Sequence, residues 1–202
     1  RPRRFGKSLL LSTLKHIFLG DKELFKGLYI YNKIEWRQYP VIRIDMIEIF
    51  KPTPDDFKNS LLLKIKEIAN ENSLKIKSTN YQSAFAELIK NLAKTEKVVI
   101  LIDEYDKPII DFIDKPDIAI QNRDILKNFY GIIKGLDEYL KFVFITGVSK
   151  FSKTSIFSDL NNLNDLTMHS KYNEISGYTE KDIKLYFKEY IKILSTKRSL
   201  LS

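Results

Sequence analysis

Apolar residues recur along the chain with two different periods, and these periods predict its helices and strands. Spacings of three and four residues between apolar positions predict amphipathic helices. These helices span residues 6–19, 54–70, 80–94, 123–140 and 179–194. Gly20 follows the first helix as a C-cap would, and Thr179 opens the last one with acidic residues close behind. The stretch 151–178 is more typical of loop and short helix.

Short runs of consecutive apolar residues predict the strands. K-V-V-I-L-I-D-E at 97–104 holds five apolar residues in a row, mostly β-branched, and K-F-V-F-I-T-G at 141–147 is similar. Runs of this kind are typical of strands buried on both faces of a parallel sheet. P-V-I-R-I-D at 40–45 predicts a further short strand. Because strands alternate with helices, we expect an α/β fold, a three-layer sandwich with a mostly parallel sheet.

The composition is that of a globular protein. The 202 residues suffice for one ordinary α/β domain, and 44% apolar and 12% aromatic content can form its core. The absence of cysteine excludes disulfides, thiolate zinc sites and a cysteine nucleophile, and it fits a reducing cytoplasm. No apolar run approaches the roughly 20 residues that span a bilayer. We therefore expect a cytoplasmic protein without a membrane partner.

The net charge favours anionic partners. It is +8, which suits nucleotide phosphates or nucleic acid. The lysines are scattered and form no long block, as on the solvated sides of ordinary helices. The charge alone leaves a nucleic-acid partner open.

The tripeptide G-K-S opens the first predicted helix and is typical of a phosphate-binding loop. Backbone N–H groups that converge at a helix N-terminus bind phosphate, and Gly6 lies at that place in the sequence. Lys7 would reach the β- and γ-phosphates of ATP, and the Ser8 hydroxyl would bind Mg²⁺. The full pattern is G-x-x-x-x-G-K-[ST], and Arg1 stands in place of its first glycine. A tripeptide alone is a weak signal.

Two arginines precede the tripeptide. Arg3 and Arg4 would add positive charge beside the phosphates. The alternative is that they belong to a solvated loop or contact another domain.

Polar residues end the predicted strands and supply the second half of a nucleotide site. Asp103 and Glu104 come at the end of a buried strand, where ligands bind in parallel α/β sheets. Asp103 would hold Mg²⁺ opposite Ser8, and Glu104 would act as general base for the attacking water. Thr146 ends the next strand and would contact the γ-phosphate, while Asp45 ends another strand and could face the same site. For each the alternative is an ordinary polar residue at a strand end.

Four sequence blocks, in this order, strongly resemble the bacterial AAA-ATPase-like domain family. They are R-P-R-R-F-G-K-S at 1–8, L-I-D-E-Y-D-K-P at 101–108, F-I-T-G-V-S-K-F-S at 144–152 and F-S-D-L-N-N-L-N-D at 157–165. That family is similar to the archaeal-type ATPases among the signal-transducing P-loop NTPases. Its arginine-rich loop also lacks the usual first glycine, so Arg1 agrees with the family although it departs from the general motif.

The resemblance implies Mg²⁺-dependent ATP binding. The implied nucleotide-binding residues are Phe5, Gly6, Lys7, Ser8 and Leu9. Asp103 and Glu104 are implied as the carboxylates for magnesium and for water. Members of the family usually carry a nuclease-like domain of the PD-(D/E)-x-K type after the ATPase domain, so the resemblance implies such a partner domain, which this chain lacks.

These observations lead to one functional hypothesis and two alternatives. We expect an ATPase core over 1–178, with a strand missing upstream of the phosphate loop, and the start of a helical lid or linker over 179–202. Its ATP hydrolysis would switch the conformation of the nuclease-like domain. The alternatives are a nucleotide-binding scaffold that does not hydrolyse ATP and a basic DNA-binding module. Glu104 favours the enzyme, whereas clustering of Lys and Arg on one face would favour DNA binding.

Overall fold

The computed structural model describes residues 5–49, 52–148, 163–167, 169–172 and 174–199, with residues 195–199 described through their backbone alone. These residues form two compact units. One lies within residues 8–164, and the other consists of the remaining described residues. The predicted division at residue 178 stays a prediction.

A parallel sheet forms the centre of the larger unit. Three strands were found among the described residues, in the spatial order β1–β2–β3: Val41–Asp45, Val98–Asp103 and Leu140–Ile145. Both pairings are parallel, and Asp45 lies in register with Asp103. Every residue of β2 is buried, as its apolar run predicted. The expected parallel α/β arrangement is thus confirmed, while the strand expected upstream of the phosphate loop stays a prediction.

Eight α-helices lie in the described part of the chain. They are α1 Lys7–Phe18, α2 Met46–Ile49, α3 Pro54–Glu71, α4 Tyr81–Leu92, α5 Lys107–Ile110, α6 Pro116–Gly135, α7 Glu180–Tyr186 and α8 Lys188–Ser199. Short 3₁₀ turns cover Lys22–Phe25, Tyr29–Asn32, Asp137–Tyr139 and Ser170–Tyr172. None of these described helices combines the length and the hydropathy needed to cross a bilayer.

Helices α3, α4 and α6 pack on one face of the sheet. The residues of β2 that point to this face are Val98, Ile100 and Ile102, all fully buried in the larger of two hydrophobic clusters. The rings of Phe85 on α4 and Phe129 on α6 stack with centroids 4.4 Å apart. Each fully buried ring of this kind stabilises the fold by roughly 1.5–3 kcal/mol. This layer thus buries one face of the sheet.

Helix α1 covers the other face and runs antiparallel to the strands. Leu11 is fully buried against Val99 and Leu101 of β2. At the far end of the helix, the Phe18 carbonyl accepts a hydrogen bond from the N–H of Tyr39, which lies just before β1, at 2.8 Å. The last turn of α1 therefore lies where the strands begin. Its first turn consequently points toward the edge where the strands end.

Most predicted elements match the observed ones to within two residues, but two helices differ. The helix predicted over 123–140 begins at Pro116 and ends at Gly135, because proline fits the first turn of a helix and the chain then enters the 3₁₀ turn before β3. The helix predicted over 179–194 is interrupted at Phe187, which separates α7 from α8. The expected cap at Thr179 is present as a reciprocal capping box with Asp182.

Candidate functional site

The carboxyl ends of β2 and β3 bring two predicted site residues into contact. Asp103 is the last residue of β2 and is fully buried. Thr146 directly follows β3, and its N–H donates to the Ile102 carbonyl at 2.9 Å, so the strand pairing continues to this residue. The Thr146 hydroxyl donates a short hydrogen bond to Asp103 Oδ1. The threonine side chain therefore orients the aspartate.

One oxygen of Asp103 has no hydrogen-bond donor among the described residues. Its Oδ1 accepts from Thr146 and also from the Glu104 N–H, at 3.0 Å. Its Oδ2 is buried without a hydrogen-bond partner in the described part of the chain. A buried carboxylate oxygen is costly unless a donor or a cation compensates it. Carboxylate oxygens are preferred ligands of Mg²⁺, so this atom fits the expected metal.

Asp45 places a second carboxylate at the same edge of the sheet. It ends β1 in register with Asp103, and its Oδ1 accepts from the Ile47 N–H at 2.9 Å. Partial burial raises the pKa of Asp45; the bond from Ile47 opposes that rise, and the nearby charge of Asp103 adds to it. Two neighbouring carboxylates give this edge a negative potential that a bound cation would neutralise.

Glu104 turns the chain sharply away from the sheet. Its φ of 51° lies in the left-handed region, which costs a non-glycine residue roughly 1–3 kcal/mol. The turn is closed by a bond from the Lys107 N–H to the Glu104 carbonyl, at 2.9 Å. The side chain is partly exposed, in contrast to the buried Asp103 beside it. Solvent therefore reaches the Glu104 side chain.

The predicted phosphate loop leads into α1. Gly6 has a φ of 79°, a backbone conformation that glycine adopts without strain. Lys7 is the first residue of α1 and only 9% exposed, although lysine is rarely buried. Ser8 and Leu9 follow in the first turn, and both are exposed. Since α1 runs antiparallel to the strands, Ser8 lies at the end of α1 that points toward the edge carrying Asp103.

The remaining predicted loop residues have a different setting. Phe5 is exposed, and its ring packs over Gly177 within the smaller unit, where a side chain on Gly177 would come within 2.9 Å of the ring. Arg3 and Arg4 lie outside the described residues. Their predicted contact with phosphate stays a prediction.

Asp106 is fully buried at the same edge, although it was not among the site residues predicted from the sequence. Its Oδ2 accepts a hydrogen bond from the Val148 N–H at 2.9 Å. Thr146 accepts, through its carbonyl, a bond from the Tyr105 N–H at 2.9 Å. The turn after β2 and the segment after β3 are therefore tied to each other. A second acidic residue shortly after a predicted strand end was the available signal.

Gly147 allows these two segments to come close, and this predicts the effect of a substitution. A Cβ at this position would lie 2.7 Å from Asp106 Oδ1 and closer still to the Tyr105 ring. We expect Gly147→Ala to destabilise the fold by about 1–3 kcal/mol, the usual range for overpacking a tight site. In a thermal melt, Tm should fall by about 2–4 °C for each kcal/mol of stability lost.

Gly131→Ala is the matched control. Gly131 lies inside α6, and a Cβ there would meet nothing within 4 Å. Because alanine is the better helix former, the control should be neutral or stabilising by up to about 1 kcal/mol. An equal loss of stability in both variants would contradict the close approach at Gly147.

Comparisons with known proteins agree with the resemblance seen in the sequence. The family described as "Predicted AAA-ATPase" matches residues 1–157. A protein of Azotobacter chroococcum mcd 1, described as an uncharacterized protein in the vnfD 5' region, is 44% identical over 194 residues. That match covers 93% of this chain but 37% of the relative, so the chain spans little more than a third of its length. No solved structure matches. On its sequence blocks and on this match, the chain belongs to the AAA-ATPase-like family.

Proposed function

We propose that this chain is a P-loop ATPase module that binds ATP with Mg²⁺ at the carboxyl edge of its sheet. The observation that carries the proposal is the buried Oδ2 of Asp103, which has no hydrogen-bond partner among the described residues. It lies at the edge toward which the end of α1 that carries Ser8 is directed. The P-loop NTPase arrangement, with its further strand upstream, is part of this proposal.

The first turn of α1 supports phosphate binding. The first four N–H groups of a helix have no partner within it and, with the helix dipole, attract anions. Lys7 begins this turn, and α1 carries no acidic residue there to oppose an anion. Lys7 binds the β- and γ-phosphate oxygens in this proposal. The Ser8 hydroxyl and Asp103 Oδ2 would hold Mg²⁺, which neutralises charge on the phosphate oxygens.

Glu104 acts on the attacking water. As general base it accepts a proton while the water oxygen attacks the γ-phosphorus and the bond to the ADP oxygen breaks. Its strained backbone supports this role, because such strain is concentrated at functional sites. Thr146 donates its only hydroxyl proton to Asp103, so it orients that carboxylate. For the hydroxyl to donate to the γ-phosphate, as the sequence analysis expected, it would have to release Asp103.

In this proposal, ATP hydrolysis acts on a part of the protein outside this chain. Because the chain spans 37% of its Azotobacter relative, further domains are expected beside the ATPase module. We propose that ATP turnover switches the conformation of a nuclease-like domain.

The Mg²⁺ dependence of ATP binding tests the proposal. Asp103→Asn keeps an oxygen that accepts from Thr146 and Glu104 but removes the charge. We expect wild type to bind a fluorescent ATP analogue more tightly with Mg²⁺ than with EDTA. In the variant this difference should shrink by roughly tenfold, since a charge-assisted contact contributes roughly 1.5–3 kcal/mol.

Asp45→Asn is the matched control, because it removes the same charge from the same edge of the sheet. It should retain most of the Mg²⁺ dependence. If both variants lost the Mg²⁺ dependence equally, the negative potential of the edge would account for it, and direct ligation by Asp103 would not. A wild-type protein that binds no nucleotide would contradict the proposed function.

A further inference from the structure

Two segments at the carboxyl edge of the sheet are joined by three hydrogen bonds. We call them the 103–106 turn, which begins at the last residue of β2, and the 146–148 segment, which follows β3. Asp103, Tyr105 and Asp106 of the turn each bind the segment, through the Thr146 hydroxyl, the Thr146 carbonyl and the Val148 N–H. Within the segment, these bonds leave little freedom to Thr146.

The Asp106 bond differs from the other two because in it a buried carboxylate accepts from a backbone N–H of the 146–148 segment. Asp106 is fully buried, and burying a carboxylate is costly. It begins α5 as the N-cap residue, yet its side chain makes no capping bond to that helix. Its Oδ2 turns instead to Val148, two residues beyond Thr146. The side chain therefore binds the segment after β3 and does not cap its own helix.

The residues around Asp106 pack closely at the position of this bond. Gly147 presents no side chain, so Asp106 Oδ1 and the Tyr105 ring lie against its backbone. On the α6 side, burial raises the pKa of Tyr130 well above its usual range, and the nearby Tyr105 and Asp106 add to the rise. Tyr130 thus remains a neutral phenol beside the carboxylate. Gly147 therefore lets the 103–106 turn approach the 146–148 segment closely enough for the bond to Val148.

The geometry points to Asp106 as a positioning residue of the ATPase site. By holding Val148 it fixes Thr146, and Thr146 in turn orients the Asp103 carboxylate toward its cation. Asp106 itself touches no reacting atom. This inference rests on the proposed function, since it assigns Asp106 a part in the same site, but the bonds on which it depends are independent of that assignment.

Turnover and nucleotide affinity separate positioning from binding. In the natural full-length protein, Asp106→Ala should lower kcat by roughly 10- to 100-fold, because a small displacement of a positioned group has effects of that size. Affinity for a fluorescent ATP analogue should change by less than about threefold, as the phosphate contacts remain. Thr146→Ala should lower kcat similarly. The double variant should be no slower than the worse single variant, because both act through one chain of contacts.

Asn122→Ala is the matched structural control. Asn122 is also a fully buried polar residue, and its side-chain amide donates to the Pro108 carbonyl at 2.8 Å, just beyond the 103–106 turn. It makes no hydrogen bond to the 146–148 segment. Its replacement should lower stability while leaving kcat near the wild-type value. Amide hydrogen exchange at Val148 should accelerate in Asp106→Ala and stay unchanged in Asn122→Ala.

Asp106→Asn keeps the inference testable if the alanine variant does not fold. Its carbonyl oxygen still accepts from Val148, so kcat should recover to within about fivefold of wild type. Equal kcat in wild type and Asp106→Ala, or additive losses with Thr146→Ala, would overturn the inference and leave the proposed function standing. So would an asparagine variant as slow as Thr146→Ala. A wild-type protein without nucleotide binding would overturn the proposed function, and the inference would fall with it.

Discussion

Glu104→Gln should abolish most ATP hydrolysis while leaving Mg-ATP binding intact. Glutamine has nearly the size of glutamate and can still hydrogen-bond a water molecule, but it cannot accept a proton. Removing a positioned general base lowers the rate by roughly 10²–10⁴-fold. The left-handed backbone at this position disfavours both residues alike, so the fold should be unchanged. Phosphate release at saturating ATP measures the rate, and titration with a fluorescent ATP analogue measures binding.

Glu138→Gln provides the control for this substitution. Glu138 is exposed in the 3₁₀ turn before β3, at the opposite edge of the sheet, so its replacement should not affect either measurement. Hydrolysis at the wild-type rate in Glu104→Gln would remove Glu104 from the mechanism. A wild-type protein that binds Mg-ATP but releases no phosphate, even as the natural full-length protein, would instead favour the nucleotide-binding scaffold.

Lys7→Ala should weaken ATP binding by roughly 10- to 150-fold, because a charge-assisted hydrogen bond to phosphate contributes roughly 1.5–3 kcal/mol. Lys7 is 9% exposed at the start of α1, where alanine is a good helix former, so the helix should persist. Titration of the fluorescent ATP analogue gives the affinity, and circular dichroism checks the fold.

Lys15→Ala is the corresponding control on the same helix. Lys15 lies in the last turn of α1, at the end that is near the beginning of the strands. Its loss removes the same charge without removing a phosphate contact. If both variants lost affinity equally, the basic charge of the protein would account for binding. Unchanged affinity in Lys7→Ala would exclude Lys7 from the site.

The fold was largely predictable because its signals are local. The apolar run of β2 predicted a strand buried on both faces, and α1 on one side with α3, α4 and α6 on the other produce that burial. The start of α6 was predicted too late, at residue 123, because the prediction relied on the apolar spacing after that residue. Pro116 is itself a signal for the start of a helix. The interruption at Phe187 has no proline or glycine to announce it.

The site could be predicted only for residues whose positions follow from the sheet topology. Parallel strands end at one edge, so Asp103 and Thr146 were expected close together. The role of Asp106 depends on a bond to Val148, 42 residues further along the chain, and on Gly147 lying against the turn. Contacts of that kind leave no periodic signal in a sequence. The left-handed φ of Glu104 was equally hidden, since glutamate has no preference for it.

The parallel register of β1 and β2 also has a consequence for how the chain reaches its folded state. Val41 pairs with Val99, and all of α3 and α4 lies between them in the sequence. Closing such a long loop costs conformational entropy before the strand pairing contributes any stability. Parallel sheets with nonlocal pairing are therefore slow to form. Until then the apolar run of β2 stays uncovered and prone to associate with other chains. Helices α3 and α4 contact each other over a shorter sequence separation than the two strands, so we expect their packing to form before the strands pair.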